Sequence, residues 1–135
     1  MIGILIVAHE PVASSFAAAI AHVLGNAPAQ FASLDVANNA RPDEWLDRAR
    51  REAARLDSGA GVLVCADVCG ATPCNIANEL GHPGKVNVIT GVNLPMILRA
   101  INYRNLSLNE LTDKALAGGR SGVMQLGPDD AASES

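Results

Sequence analysis

The segment IGILIVAHEPVASSF, Ile2 to Phe16, runs through unbroken aliphatic residues and then, at once, through a histidine, a proline and a helical pattern. A strand buried on both faces reads as such a continuous run, whereas a strand with one wet face alternates apolar and polar residues. Ile2 to Val7 is therefore expected as a central strand of a mostly parallel sheet. His9 stands at its carboxyl end, where a packed core would favour another Val or Ile. From Ser14 to Leu24 apolar residues keep helical spacing and stop at Gly25, a C-terminal cap.

The same alternation continues outward. QFASLDV, Gln30 to Val36, reads as a second strand. RPDEWLDRARREAARLD opens with Pro42 and two acids and turns basic later, as the helix dipole favours, with Trp45, Leu46, Ala49, Ala53 and Leu56 on one side. GVLVCAD, Gly61 to Asp67, is a third strand, followed by VCGATPCN and a short helix to about Leu80. KVNVITGVN, Lys85 to Asn93, reads as a fourth strand. Pro95 opens a helix through about Tyr103, and Ser107 and Glu110 have capping-box spacing for another to about Ala117. SGVMQL is expected as a last strand, and GPDDAASES is too polar to pack.

Strands alternating with helices of about ten residues build right-handed β-α-β units. The expected fold is α/β: an open doubly wound, mostly parallel sheet of order 2-1-3-4 plus a C-terminal strand, with helices on both faces. It forms one domain over residues 1–126, with a disordered acidic tail over 127–135. A chain of 135 residues suits one core, and with 49% hydrophobic but only 3% aromatic residues that core is aliphatic, unlike that of a β-sandwich.

A net charge of −4 argues against a nucleic-acid footprint. The basic cluster Arg48, Arg50, Arg51 and Arg55 is interleaved with acids and reads as a solvated helix face. The N-terminus lacks a basic leader and reaches a polar residue too early to span a bilayer, so a cytoplasmic protein without membrane insertion is expected. Three cysteines fit a reducing compartment better than a disulfide framework.

In open α/β sheets ligands bind beyond the carboxyl ends of the strands, at the switch point of strand order. Order 2-1-3-4 puts His9 and Asp67 on neighbouring strand ends at that point. A carboxylate on one ring nitrogen fixes the tautomer and stabilises the ring when it becomes cationic, which prepares the other nitrogen to attack phosphorus. The same positions also suit an ordinary loop histidine and a turn aspartate. In GATPCN, Gly70 allows close backbone approach, Thr72 is a good N-cap and Pro73 suits the first helical position, so the free amides there would make an anion site. Asn93 and Pro95 either cap a helix or form one wall of the site, and Asn93 stays outside the catalytic set.

Cys65, Cys69 and Cys74 are separated by three and four residues, which is not the Cys-x-x-Cys spacing of common zinc sites, and no metal is expected. Cys65 reads as a core strand residue, and Cys69 and Cys74 as thiols exposed enough to react. His22 and His82 read as ordinary surface or packing residues. No nucleotide or other cofactor is expected, since no phosphate-loop motif with its Lys is present.

IGILIVAHEPVASSF, GVLVCADVCGATPCNIA, VITGVNLPMIL and GGRSGVMQL occur in order over nearly the whole chain to about Leu126. Together they resemble the mannose-family IIA domain of the bacterial phosphoenolpyruvate-dependent sugar phosphotransferase system. The resemblance implies a phosphotransferase in which His9 accepts a phosphoryl group on Nε2 from the phosphocarrier protein HPr and passes it to a histidine of a IIB partner. It further implies that Asp67 positions His9, that the backbone around Gly70, Ala71 and Thr72 holds the phosphate, and that Gly122 to Leu126 crosses to the partner's sheet in a homodimer.

Where many members carry Trp-Gly-Gly-Ser-Pro-Phe-Asn, this chain has CGATPCN, so Cys69 and Cys74 replace bulky apolar residues and the partner-facing surface is expected to differ. No IIB domain follows in the sequence, so the onward acceptor is expected to be a separate protein. Two outputs stay open: sugar uptake, or a regulatory protein whose phosphorylation at His9 controls binding to a partner. The related phosphotransferase subunit of dihydroxyacetone kinase ranks last, because GATPCN and GVNLP are closer to the mannose group.

Overall fold

In the computed structural model, strand β1 (Gly3–His9) lies between two parallel neighbours, as its continuous apolar sequence requires. The structure describes residues 1–39 and 41–128. The acidic tail expected over 127–135 lies, from residue 129 onward, outside them. The other elements are α1 (Val12–Leu24), β2 (Phe31–Val36), α2 (Pro42–Leu56), β3 (Val62–Ala66), α3 (Thr72–Leu80), β4 (Val86–Ile89), α4 (Leu94–Asn102) and α5 (Leu108–Ser121). The four strands form one parallel sheet of order β2-β1-β3-β4.

The pleat of β1 sends alternate residues into two cores. Ile4, Ile6 and Ala8 pack with Leu63 and Cys65 of β3 against α1, α4 and α5. Leu5 and Val7 pack with Val62, Val64 and Ala66 against α2 and α3. Helices thus cover both faces. In α2 the buried residues are Ala49, Ala53 and Leu56, while Trp45 and Leu46 are half-buried. Arg48 stacks over the Trp45 ring at 4.2 Å, and Arg48, Arg50, Arg51 and Arg55 are all exposed.

Gly25 ends α1 with φ 85°, as its place after the helical pattern predicts. Three segments differ from expectation. β4 stops at Ile89 instead of Asn93, because the chain then turns toward the end of β3, where the Gly91 and Val92 amides donate to the carbonyls of Asp67 and Ala66 at 2.9 and 3.1 Å. α5 continues to Ser121 through Gly118 and Gly119, which lie against α4: a Cβ on Gly118 would meet Arg99 Cβ at 2.6 Å, and one on Gly119 would meet the Met96 side chain at 2.9 Å. The segment expected as a last strand, Gly122 to Leu126, pairs with no strand of this chain's own sheet. Val123, Met124 and Leu126 are exposed there.

At the amino end of the sheet Arg104 is buried, only 5% exposed, and its guanidinium donates to the carbonyls of Ile2, Ala29 and Gln30 at 2.9, 2.5 and 2.6 Å. It fastens the start of β1 to the chain entering β2. Among the described residues no helix is long and apolar enough to cross a membrane.

Candidate functional site

At the opposite, carboxyl end of the sheet, β1 delivers His9 and β3 delivers Asp67. One oxygen of that carboxylate, Oδ2, accepts from the His9 backbone amide at 3.0 Å and lies 2.7 Å from His9 Nδ1. The other, Oδ1, accepts from the Val68 amide at 2.8 Å. An ionised carboxylate only accepts, so the ring proton sits on Nδ1 and Nε2 is the nitrogen left to a ligand. Burial alone would raise the Asp67 carboxyl, but the His9 amide, the His9 ring and the Val68 amide outweigh it and hold the group below its ordinary range. The His9 side chain is 42% exposed and that of Asp67 is 12% exposed. The imidazole is therefore open to a partner and the group that orients it is shielded.

The loop from Asp67 to α3 passes through Gly70 at φ 89°, a backbone conformation that suits glycine. The N-cap of α3 is Ala71 in extended conformation, with Thr72 and Pro73 as the first two helical residues; the expectation of Thr72 as cap is off by one, and no side chain caps this helix. A helix start leaves its opening amides without intrahelical acceptors and presents positive potential. Thr72 and Pro73 line a small pocket with His9, Val36, Ala37 and Asn38, about 100 Å³ in volume. Of the five residues singled out by sequence, His9 and Asp67 are in direct contact, Thr72 shares the pocket with His9, and Gly70 and Ala71 form the connecting loop.

The wall made by Val36, Ala37 and Asn38 escapes a reading of the sequence, since the stretch after β2 has no motif. The signal that sequence does offer is the strand order, which sets the end of β2 beside His9. Two bonds hold this wall: the Glu10 amide donates to the Val36 carbonyl at 3.1 Å, and the Ser14 amide donates to Asp35 Oδ1 at 2.9 Å, so a β2 residue caps α1.

Asn93 caps α4, accepting from the Met96 amide at 2.9 Å, and donates to the Gly119 carbonyl at 3.0 Å. Cys69 and Cys74 lie beside each other, whereas Cys65 is across the sheet from them. Cys65 lies in the core beneath α1, α4 and α5, its thiol pushed up to about 12 by burial, whereas Cys74 lies on the other face of the sheet under α2 and α3. Cys74 is buried, not exposed as expected, and burial first, then Cys69 and Asp67, raise its thiol, while the Gly70 amide opposes them. His22 and His82 are exposed.

An open parallel sheet with a carboxylate-held histidine at its switch point defines a class of α/β domains that work at the strand ends. Residues 3–116 match the EIIA-man family model, described as the PTS system fructose IIA component, and the chain belongs to that family. It is 30% identical over 96 residues to the PTS system mannose-specific EIIAB component of Escherichia coli (strain K12), a match covering 69% of this chain and 30% of that protein. It is 27% identical over 114 residues to the transcriptional regulatory protein LevR of Bacillus subtilis (strain 168), covering 82% of this chain and 12% of that protein. The chain thus spans less than a third of either relative's length. The fold superposes on phosphotransferase system component EIIA from Streptococcus agalactiae with a TM-score of 0.83 at 23% identity, covering 93% of this chain and 97% of the other.

Proposed function

We propose that the domain is a cytoplasmic phosphocarrier of the sugar phosphotransferase system, with phospho-HPr as donor and a IIB histidine as acceptor. The observation that carries this reading is the 2.7 Å contact between His9 Nδ1 and Asp67 Oδ2 beside the start of α3. In the transfer the P–N bond of phospho-HPr breaks as a bond from His9 Nε2 to phosphorus forms. The Nδ1 proton stays in place, and Asp67 stabilises the positive charge that develops on the ring. The amides around Gly70, Ala71 and Thr72 receive the phosphoryl oxygens. Onward transfer is the same step reversed onto a second imidazole, so the protein contributes positioning and fixed dipoles.

Incubation with phosphoenolpyruvate, enzyme I and HPr, followed by intact mass and acid-labile phosphohistidine mapping, tests the reading. Label on His9, absent from His9→Ala, is the expected result. No label with active donor proteins overturns it.

A homodimer is part of the same proposal. Among the described residues the outer edge of β4 has no neighbouring strand, and the exposed Val123, Met124 and Leu126 supply an apolar segment to pair with it in a second copy. A regulatory output is favoured by one observation, the similarity to the regulatory protein LevR over 82% of this chain. Phosphorylation there adds about two negative charges at the mouth of the site and changes what docks on it. Transfer onward to a IIB protein distinguishes the two outputs.

A further inference from the structure

The pocket that His9 enters has two walls, and only one of them belongs to the loop after Asp67. Thr72 and Pro73 close one side, and Val36, Ala37 and Asn38 close the other. Val36 and Ala37 are apolar, and Pro73 has neither a polar side chain nor an N–H. Apart from His9, the side-chain donors in the lining are therefore the Thr72 hydroxyl and the Asn38 amide. A phosphoryl group brings three acceptor oxygens and close to two negative charges, so a wall without a donor would leave one side of it unmatched. A primary amide offers two N–H donors without a fixed charge. Asn38 follows in an exposed turn, two residues after Val36, whose carbonyl accepts from the Glu10 amide.

We propose that Asn38 is a phosphoryl-binding residue, its side-chain amide donating to an oxygen of the group carried on His9 from the side opposite Thr72. This rests on the phosphocarrier reading and adds to it a contact from β2 that the loop after β3 cannot make.

The test uses the full chain and three variants, Asn38→Ala, Asn38→Asp and Asn39→Ala; Asn39 is exposed like Asn38 but lies outside the pocket lining. Asn38→Ala is expected to slow acceptance from phospho-HPr about tenfold, the scale of a hydrogen bond to a charged group. Asn38→Asp slows it further by repulsion, and Asn39→Ala leaves it unchanged. In parallel, His9 is phosphorylated with potassium phosphoramidate, where the bond from phosphorus to ammonia breaks as the bond to Nε2 forms. The Asn38 side-chain amide resonance in the ¹⁵N–¹H spectrum is expected to shift on phosphorylation, and that of Asn39 to stay.

Wild-type labelling with Asn38→Ala as fast as wild type, or no shift of the Asn38 amide, overturns the inference. Failure of phospho-HPr with success of phosphoramidate overturns the donor assignment alone and leaves the Asn38 shift to decide. No label from either donor overturns both.

Discussion

A single oxygen of Asp67, Oδ2, binds both the backbone amide and the ring of His9, at 3.0 and 2.7 Å. The imidazole is thereby set relative to the end of β1 itself, and a change at Asp67 disturbs ring orientation and strand end together. Asp67→Asn removes the charge that stabilises the cationic ring. Phosphoryl acceptance is expected to slow by about ten- to a hundredfold, the range seen when groups that orient a histidine are altered. Initial rates from phospho-HPr measure it, and an unaltered rate removes Asp67 from the mechanism.

The same contact predicts a pH dependence of stability. The Asp67 carboxyl is held below its unfolded value by His9 and Val68 against the effect of burial. A depressed folded-state pKa contributes stability that is fully present above the unfolded value of about 4 and is lost as pH falls through the folded one. Thermal midpoints of wild type and Asp67→Asn are expected to differ at neutral pH and to converge on acidification below about pH 4. Parallel curves down to the acid limit would contradict this.

Arg104 offers a test far from the site. Its guanidinium satisfies three carbonyls at the amino end of the sheet, and Arg104→Ala leaves them without that donor. The expected loss is about 3 kcal/mol in urea unfolding, with Arg104→Lys recovering part of it. Phosphoryl acceptance per folded molecule should stay at the wild-type level, since His9 lies at the other end of β1.

For the homodimer, the exposed residues after α5 carry the prediction. Val123→Asp combined with Leu126→Asp places charge in the segment expected to pair with a second copy. Sedimentation equilibrium should show a dimer for wild type and a monomer for the double variant. A dimer in both would place the interface elsewhere.

The parts of this fold readable in sequence are those where one physical cause dominates. Ile4 to Val7 and Val62 to Ala66 are apolar without interruption because they are buried on both sides, and a short β-branched run bounded by polar residues has little else to pack as. The order 2-1-3-4 then brings His9 and Asp67 to one edge. Gly118 and Gly119 are harder to read, because glycine both ends helices and lets a second helix come close. The Arg99 and Met96 contacts decide for the latter, and those are visible only in three dimensions. Arg104 reads as an ordinary helix-flanking cation until the carbonyls of Ile2, Ala29 and Gln30 are placed around it. Asn38 follows β2 in a stretch of small and polar residues, and only the pocket distinguishes it from Asn39.

The sheet keeps Cys65 and Cys74 in separate cores and leaves Cys69 exposed, two residues from Asp67. A maleimide fluorophore or nitroxide applied to the native chain should therefore attach at one thiol in three, with no engineered cysteine. That makes Cys69 a natural reporter position, close enough to the strand ends for its signal to follow the arrival and departure of a partner.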